Sequence, residues 1–482
     1  MSIILNFVMI THQDETVSSP PYTNFKIMAK QNKSTSKDKT KKGEPAIITQ
    51  TRGEFDTDSK NWTDREFSHP ERTIRVASSF SGIGAPEKGL ERLGLKTKIV
   101  FACDIGERYL KYTYKQLKDF IKDFSDEDKE KFAKSLWEEN KAGIDSSRTK
   151  KAKKELKEEK AKEELKEEDV EDIDESEIKI KNLTLEEVKD NLLGDGKDKG
   201  YNLQLTEDCM KLLFKYKGLT TQDEKEAYVS SLYDEKGVNW VKESFFANHD
   251  IDESAWHTDI YYMDTTPYKG QVDLYVGGSP CQSYSRSGKR LALADMRGTL
   301  FYQFAKRIEE CQPKIFIFEN VKGMMDGSKV KKSGLEAALE VFDSLGYEVY
   351  WQVLNAKDYG IPQNRERIWV IGFRNDIAPD DFKYPAAIPL TTRMYDYLDE
   401  DKPPRNGKVE TPSIRHLTGT ECLRLMGFTD FKVAPRLEEE GKELPLKKDR
   451  ILCEQAGNSM VVECLMALYK QMDITQYGEE LD

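Results

Sequence analysis

Short apolar runs alternate with amphipathic stretches in two separate parts of the chain. In the first part, apolar residues over 74–80 and 98–102 predict two strands, and helical spacing up to about Leu93 predicts a helix between them. In the second part, the pattern predicts further strands at 272–276, 315–318, 347–354 and 368–373, with helices near 299–311 and 333–345. This order of elements is typical of an α/β domain with one central sheet.

The charge pattern changes over residues 115–253, which interrupt this rhythm. The segment holds 27 Lys and Arg against 38 Asp and Glu, a net charge of −11 out of −12 for the whole chain, so the remainder is close to neutral at −1. A near-neutral remainder is compatible with a basic cleft for nucleic acid. Residues 150–175 are almost all charged, which favours a solvated helix or a linker. We therefore expect a charged, largely helical insertion that protrudes from a single domain.

The composition excludes several classes of protein. Hydrophobic residues make up 38% of the chain, and no apolar run approaches the length of a membrane span. Residues 1–10 are apolar but lack a basic region and a cleavage site, so we expect no secretory signal and a cytoplasmic location. The seven cysteines form no CxxC pair and the five histidines are scattered, which predicts no metal site. The composition of residues 1–72 predicts a disordered tail.

A glycine turn and two carboxylates indicate a nucleoside pocket. Gly82 and Gly84 follow the first predicted strand, where a ligand can pass close to the backbone. The turn alone is a weak signal, because Glu87 replaces the third glycine of a dinucleotide fingerprint and no phosphate-binding loop follows. Asp104 ends the second predicted strand and can accept hydrogen bonds from ribose hydroxyls, and Asp259 stands before the next strand. Such a pocket does not require phosphates.

Cys281 is the strongest candidate for chemistry. It follows the strand predicted at 272–276 and precedes a polar loop that ends near Arg290, so it lies at a carboxyl end of the sheet, where ligands bind in such folds. A single cysteine is most often a small core residue. The position between a strand end and a polar loop favours a reactive thiolate instead.

Charged residues also stand at two other strand edges. Glu319 follows the apolar strand 315–318, where burying a carboxylate is costly without a partner or a function. Arg365 and Arg367 alternate with Glu366 before the strand 368–373, so both arginines point to one face. They form either a salt-bridge ladder or a guanidinium site for a base or its backbone.

Taken in order, these elements resemble the DNA (cytosine-5) methyltransferase family of bacterial or phage type. The resemblance covers nearly the whole chain outside 1–72 and 115–253. The matching motifs are 80–84, 259–260, 279–282, 297–300, 319–321, 363–367, 415–418 with Glu421 and 426–427, and 455–459. The resemblance implies a Rossmann-like, S-adenosylmethionine-dependent methyltransferase fold, with a mixed seven-stranded sheet and helices on both faces.

The resemblance also implies a reaction at C5 of a flipped-out cytosine in double-stranded DNA. The thiolate of Cys281 would add to C6, so that C5 becomes nucleophilic enough to take the methyl group of S-adenosylmethionine. Glu319 would hydrogen-bond N3 and the exocyclic amine, and Arg367, with Arg365, would support the O2 side. A base would then remove the C5 proton, and β-elimination would free the enzyme. Because C6 is hidden in a duplex, the target base must leave the stack.

The remaining site residues are assigned by the same resemblance. The cofactor would contact Phe80, Gly82, Gly84, Asp104, Ile105, Asp259, Ile260, Pro280, Leu300, Asn458 and Ser459. The DNA would contact Gln282, Ser285, Ser287, Lys289, Arg290 and Arg297. Ile105 stands where the family often has an aromatic residue beside the adenine. No metal is implied.

The family pattern divides the chain but leaves little room for base reading. After the tail (1–72), we expect a catalytic domain (73–374), a reduced target-recognition region (375–449) and a C-terminal segment (450–482) whose helix, about 458–472, returns to the cofactor loop. Only 40 residues separate Arg374 from Arg415, where the family normally houses its recognition domain. We hypothesise that base reading is very short or shared with the insertion, which a deletion of 140–200 would test.

Two other functions stay open. A tRNA cytosine-C5 methyltransferase of the same fold would use the same motifs, and a catalytically idle DNA-binding protein would keep the fold without the reaction. The expected context is restriction-modification or phage DNA self-protection, in a bacterial cell and conceivably encoded by a phage or prophage. A cognate restriction endonuclease is then a possible partner, and a monomer is the default expectation.

Overall fold

The computed structural model describes residues 51–57, 61–138, 140, 183–194, 202–280, 300–326, 333–399 and 416–480. The strands in these ranges are β1 (Thr51–Arg52), β2 (Phe55–Asp56), β3 (Thr73–Ser79), β4 (Lys96–Cys103), β5 (Lys111–Tyr112), β6 (Leu203–Gln204), β7 (Trp256–His257), β8 (Leu274–Gly277), β9 (Ile315–Val321), β10 (Tyr347–Asn355), β11 (Glu366–Arg374) and β12 (Tyr384–Pro385). The α-helices are α1 (Ala85–Arg92), α2 (Tyr114–Ile121), α3 (126–138), α4 (Leu185–Leu193), α5 (Glu207–Lys217), α6 (Gln222–Asp234), α7 (Trp240–Asn248), α8 (Leu300–Cys311), α9 (Gly334–Ser344), α10 (Gly419–Arg424), α11 (Pro435–Glu443), α12 (Pro445–Asn458) and α13 (Val462–Gln471).

Side-chain caps fix where many of these helices begin. Five helices carry a capping box, in which a Ser or Thr side chain accepts from the third helical N–H while the Glu or Gln at that position bonds back. The capping residues are Thr113, Thr184, Thr221, Ser333 and Thr418. Short 3-10 helices join other elements, at Trp62–Asp64, Glu253–Ala255, Thr266–Tyr268, Lys322–Met325, Ala356–Tyr359, Met394–Tyr397 and Ile474–Tyr477.

The main sheet has eight strands in the order β1-β10-β11-β9-β8-β3-β4-β7. Strand β11 runs antiparallel to β10 and β9, and the other neighbours pair in parallel. Alternate side chains of the central strands fall into two separate hydrophobic cores, one with α1 and α13 and the other with α8 and α9. The predicted mixed sheet with helices on both faces is therefore confirmed, and the short edge strand β1 adds an eighth strand to the seven expected.

The region predicted as a disordered tail, 1–72, is folded at its C-terminal end. Residues 51–57 form β1 and β2, which pair with β10 and β12. The ring of Trp62 is buried in the main core, and Arg65 forms an ion pair with Asp56 at 2.5 Å. The burial of the indole depends on residues far away in the sequence, which the polar composition of this stretch did not reveal. Residues 1–50 and 58–60 lie outside the described residues.

The predicted insertion contains two parts. Helices α2 to α6 share a hydrophobic core of their own, which runs from Leu110 to Tyr233. Helix α7 packs instead on the main sheet, where Val241 and Phe245 meet Ala102 and Trp256. The charged run at 150–175 lies outside the described residues.

The described parts of 375–449 pack against the main domain. Strand β12 pairs with β2, and Leu423, Phe428 and Leu437 belong to the same core as the central strands. In these ranges the region forms no separate core, in keeping with its short length. Residues 400–415 lie outside the described part of the chain.

The C-terminal segment runs from the carboxyl ends of the parallel strands back to their amino ends. Helix α12 ends at Asn458, and α13 begins at Val462 rather than near 458. Helix α13 packs on α1, where the Tyr469 hydroxyl donates to the Pro86 carbonyl at 3.3 Å. Beyond it, Glu479 bonds to both backbone groups of Thr73 at the start of β3. No helix within the described ranges could cross a membrane.

Candidate functional site

The carboxyl ends of the parallel strands β3, β4, β7, β8 and β9 meet at one edge of the sheet. A cleft with about 370 Å³ of empty volume opens there. It is lined by Ser78, Ser79, Phe80, Ser81, Gly82, Ala85, Pro86, Val276, Gly278, Glu319, Asn458, Ser459 and Met460. A larger cavity of about 630 Å³ lies at the opposite edge, near Phe373 and Tyr477, and none of the predicted site residues lines it. The edge with the strand ends is thus the candidate site.

Asp104 holds together the two turns that face the end of β4. Its Oδ2 accepts from the Gly82 N–H at 2.9 Å, and its Oδ1 accepts from the Gly106 N–H at 2.7 Å. Burial raises the pKa of Asp104, and these two hydrogen bonds oppose the rise. A carboxylate can accept about four hydrogen bonds, so each oxygen keeps capacity for a ligand hydroxyl.

The glycine turn is closely packed on its inner side. Gly84 has φ +81°, and a Cβ at this position would overlap the His249 ring, which comes from the end of α7. His249 Nε2 lies 3.1 Å from the Ile83 carbonyl oxygen, and burial lowers the His249 pKa to about 4, so the ring is neutral and donates this hydrogen bond. Only glycine fits both the left-handed backbone and the contact with the ring.

Asp259 lies at the end of the neighbouring strand β7. Its Oδ1 accepts from the Tyr261 N–H at 3.0 Å, and its Oδ2 accepts from the Tyr233 hydroxyl at 2.8 Å. The side chain is buried, and burial raises its pKa. The Asp104 N–H bonds to the His257 carbonyl at 3.2 Å, so the two carboxylates project from adjacent strands. Asp259 itself is not part of the cleft lining.

Glu319 and Arg367 form an ion pair inside the site. Arg367 Nε lies 3.1 Å from Glu319 Oε1, with the two side chains 23% and 12% exposed. Burial raises the pKa of Glu319, while the charges of Arg367 and Arg365 lower it, and the net shift is upward. The sequence left open a salt-bridge ladder or a guanidinium site. Among the described residues, the structure shows no ladder through Glu366, because Glu366 points outward and pairs with Lys322, while Arg367 pairs with Glu319.

The backbone before Cys281 is fixed against Glu319 and Asn320. A Cβ at Gly278 would lie 2.9 Å from the Glu319 carbonyl oxygen and 3.3 Å from its Oε2, so the chain can pass here only as glycine. The Asn320 Nδ2 donates to the Ser279 carbonyl at 3.2 Å. Pro280 is the last described residue before 281–299. The segment that leads to Cys281 therefore starts beside the Glu319 carboxylate.

Arg365 is bound to main-chain carbonyls. Its Nη2 donates to the carbonyls of Gly457 at 3.1 Å and Ser459 at 2.9 Å. Burial, together with the charge of Arg367, lowers its pKa to about 10, so it stays charged at neutral pH. The contacts place Arg365 under the turn between α12 and α13, and they leave its predicted part in catalysis untested.

Asn458 and Ser459 close the cleft from the C-terminal side. Asn458 Nδ2 donates to Glu107 Oε1 at 2.8 Å, which ties the end of α12 to the turn after Asp104. Ser459 is buried, whereas Asn458 is exposed. Both residues line the cleft, as do Phe80 and Gly82 from the opposite wall.

Of the described residues that the sequence singled out, five line the cleft, namely Phe80, Gly82, Glu319, Asn458 and Ser459, and Asp104, Arg365 and Arg367 are bonded to residues that line it. Ile260 is buried, Ile105 is half-buried against the insertion core, and Leu300 begins α8. The candidates outside the described residues are Cys281, Gln282, Ser285, Ser287, Lys289, Arg290 and Arg297. The described ranges hold no group of three or more potential metal ligands.

Sequence reasoning missed residues that act through others. Tyr233 and His249 bind parts of the site from helices that precede β7, and no local motif marks them. Asn320 lies in the motif 319–321, but the sequence assigned it no role. Its position directly after Glu319 was the one signal for its contact with the segment before Cys281.

The fold and the site define an α/β protein with a cleft at the carboxyl ends of its parallel strands, beside a half-buried Glu–Arg pair. Residues 208–411 match the family model described as C-5 cytosine-specific DNA methylase. Over this segment, the match confirms the family resemblance that the motifs carry. It covers less than half of the 482 residues.

Similar proteins match over limited parts of their length. The orphan methyltransferase M.SPRI of Bacillus phage SPR is 42% identical over 142 residues, which are 30% of this chain and 32% of the relative. The type II methyltransferase M.Sau96I of Staphylococcus aureus is 47% identical over 120 residues, 25% of this chain and 27% of the relative. The chain thus spans about a third or less of these relatives. The crystal structure of S. pombe Dnmt2 methyltransferase aligns with 82% of this chain and 97% of that chain, at 13% identity and a TM-score of 0.43.

Proposed function

We propose that the protein transfers a methyl group from S-adenosylmethionine to C5 of cytosine in double-stranded DNA. The observation that carries the proposal is the half-buried ion pair of Glu319 and Arg367, beside the segment that leads to Cys281. It stands in a chain whose residues 208–411 match the C-5 cytosine-specific DNA methylase family. A carboxyl group, a guanidinium and a thiol are the groups that addition to a cytosine ring requires.

The pocket fits S-adenosylmethionine by its donor set. When bound, the cofactor supplies an electrophilic methyl group on a sulfonium sulfur. Asp104 is half-buried and Asp259 is buried, and both carboxylates have unused acceptor capacity, which suits the hydroxyls and the amine of a nucleoside. Phe80 and Gly82 line the cleft where the methionine part would lie, and Asn458 and Ser459 line its other wall. The absence of a phosphate loop agrees with a ligand that carries no phosphate.

The residues around the target base would share the work of catalysis. The Cys281 thiolate adds to C6, and the electron density that develops on the ring is stabilised by Glu319. Glu319 would hydrogen-bond N3 through one oxygen and accept from the exocyclic amine through the other, and burial raises its pKa in the direction that favours sharing a proton with N3. Arg367 keeps this carboxyl oriented through its Nε and can support the O2 side. Arg365, bound to Gly457 and Ser459, keeps the C-terminal wall in place.

Double-stranded DNA is the substrate favoured by the family match. The names of the relatives include an orphan phage methyltransferase and a type II methyltransferase, which supports a role in phage DNA self-protection or restriction-modification. A partner endonuclease and a monomeric state belong to the same proposal. The loop residues from Gln282 to Arg290, with Arg297, would contact DNA while the target base occupies the pocket.

The test is methyl transfer from radiolabelled S-adenosylmethionine to mixed duplex DNA and, in parallel, to tRNA. Modified cytosines are located by bisulfite sequencing. We expect label in duplex DNA, a defined sequence context, and loss of transfer in Cys281→Ala. Cys453→Ala is the matched control, because Cys453 is a partly exposed thiol on α12 outside the proposed machinery.

A second readout follows the covalent step. A duplex with 5-fluorocytosine in place of cytosine has no C5 proton to lose, so the adduct with Cys281 should persist as a band of higher mass on a denaturing gel. Label in tRNA alone would replace the DNA assignment with the RNA one. A folded protein that binds S-adenosylhomocysteine and DNA but transfers nothing would support the idle DNA-binding alternative.

A further inference from the structure

Helix α6 of the insertion lies along the segment that carries Asp259. Four of its side chains contact residues 257–262, and they recur at spacings of four, four and three residues, which places them on one helix face. Gln222 donates to the Tyr262 carbonyl, Glu226 bonds to the His257 ring at 2.6 Å, Ser230 donates to Thr258 at 3.1 Å, and Tyr233 donates to Asp259 at 2.8 Å.

Tyr233 belongs to the insertion core and to the site at once. Its ring is buried among the apolar side chains of α2 to α6, and the Arg108 guanidinium lies over it, 5.4 Å from the ring centroid. Its hydroxyl points out of that core and donates a hydrogen bond to Asp259 Oδ2. Because both ends of the side chain are held, the hydroxyl has a fixed position from which it orients the carboxylate.

The hydrophobic core of the insertion also contacts the residues that follow Asp104 and Asp259, the two carboxylates proposed to bind the nucleoside. Ile105, which follows Asp104, packs against it, and so does Tyr262, which follows Asp259 by three residues. In addition, the Asn239 side chain, just after α6, donates to the Asp104 carbonyl at 3.1 Å. The insertion is thus in contact with the ends of both strands that carry the acidic residues.

We propose that the insertion is a structural part of the cofactor site, and that Tyr233 is a positioning residue which holds Asp259 ready for the exocyclic amine of the nucleoside. This inference rests on the proposed function, because it takes S-adenosylmethionine as the ligand. The Tyr261 N–H fixes one carboxylate oxygen and the Tyr233 hydroxyl fixes the other, so that the rotation of the carboxylate is defined while each oxygen keeps a lone pair. Without the hydroxyl, the buried carboxylate loses one of its two fixed donors and its defined rotation.

The test compares two ligands by calorimetry on the full chain. One is S-adenosylhomocysteine, and the other is its inosine analogue, in which a carbonyl oxygen replaces the amine. Tyr233→Phe removes only the hydroxyl, and we expect it to weaken the binding of S-adenosylhomocysteine about tenfold, near the lower end of the range for one hydrogen bond to a charged group. The inosine analogue should bind Tyr233→Phe as it binds the unaltered chain, since it offers no amine to Asp259.

A matched control is Tyr228→Phe. Tyr228 lies on the same helix, and its buried hydroxyl has no hydrogen-bond partner among the described residues, so its removal should leave both affinities unchanged. In methyl transfer, Tyr233→Phe should raise KM for S-adenosylmethionine by the same factor and leave kcat within twofold.

The outcomes separate the inference from the function on which it rests. An unchanged affinity of Tyr233→Phe for S-adenosylhomocysteine overturns the positioning role. An equal loss for both ligands also overturns it, because the residue would then support only the fold. If the unaltered chain binds neither ligand, the proposed function fails and the inference fails with it. Selective loss of the adenosine ligand with intact kcat supports the proposal.

Discussion

Glu87 makes the stability of the cofactor-loop region dependent on pH. The side chain is 3% exposed on α1, its Oε1 accepts from the Ser78 hydroxyl at 2.8 Å, and its Oε2 has no hydrogen-bond partner in the described part of the chain. Burial raises its pKa from 4.5 to about 7, against the opposing effect of hydrogen bonds from its own backbone and from Ser78. The neutral acid is therefore the form that the fold prefers.

The sign and size of the effect follow from the two pKa values. The stabilising contribution is fully present below pH 4.5, where the unfolded chain is also protonated, and it is lost as pH rises through about 7. A difference of about 2.5 pKa units corresponds to about 3 kcal/mol, of which about 2.5 kcal/mol is lost between pH 5 and pH 8. With an unfolding entropy of about 2.1 cal/mol/K per residue, a chain of 482 residues loses about 2.5 °C in Tm.

Glu87→Gln tests this reasoning, because glutamine keeps the shape and the acceptor oxygen but does not ionise. The Tm of the variant minus that of the unaltered chain should rise by about 2.5 °C from pH 5 to pH 8, as followed by the melting of far-UV circular dichroism. Glu91→Gln, an exposed position on the same helix, is the control and should show no such trend. If the Tm difference between Glu87→Gln and the unaltered chain stays constant from pH 5 to pH 8, the assignment of a neutral, buried Glu87 is refuted.

Three further changes test other parts of the site. Gly84→Ala should lower the free energy of unfolding by roughly 3 kcal/mol, since a methyl group meets His249 in a left-handed backbone; a Tm within 1 °C of the unaltered chain would contradict this. Arg367→Gln should reduce kcat/KM for DNA methylation by roughly 100-fold, because the Glu319 carboxyl loses its charged partner, and equal activity of the variant would remove Arg367 from the mechanism. Asn458→Ala should weaken S-adenosylhomocysteine about fivefold in calorimetry with little change in Tm, and an unaltered affinity would show that this wall does not contact the ligand.

The sequence predicted those strands whose burial shows in the pattern of neighbouring residues. The strands at 74–80, 315–318 and 368–373 correspond to β3, β9 and β11 within a few residues, because continuous apolar runs mark strands that are buried on both faces. For these strands the signal and the structure lie within a few residues of each other. Glu319 and Arg367 were each singled out as charges at a strand edge, but their ion pair became visible only in the folded sheet.

The rest depended on contacts between distant residues. Strand β1 pairs with a strand about 300 positions away, and two residues carry no periodicity. Trp62 is buried by residues that are near it only in the folded chain. The contact of the Tyr233 hydroxyl with Asp259 depends on how α6 packs against the segment that follows β7. Composition could describe the insertion as charged and helical, yet it could not show which element the insertion supports.

The C-terminal wall of the cleft has a consequence for the order of events during synthesis. The bonds from Gly82 to Asp104 and from Tyr233 to Asp259 join residues 22 and 26 positions apart, so they can form soon after those segments leave the ribosome. The bond from Asn458 to Glu107 spans 351 positions. A nascent chain that has not yet reached Asn458 would therefore lack one wall of the cleft, and a ligand that needs this wall could bind only after translation has passed this point.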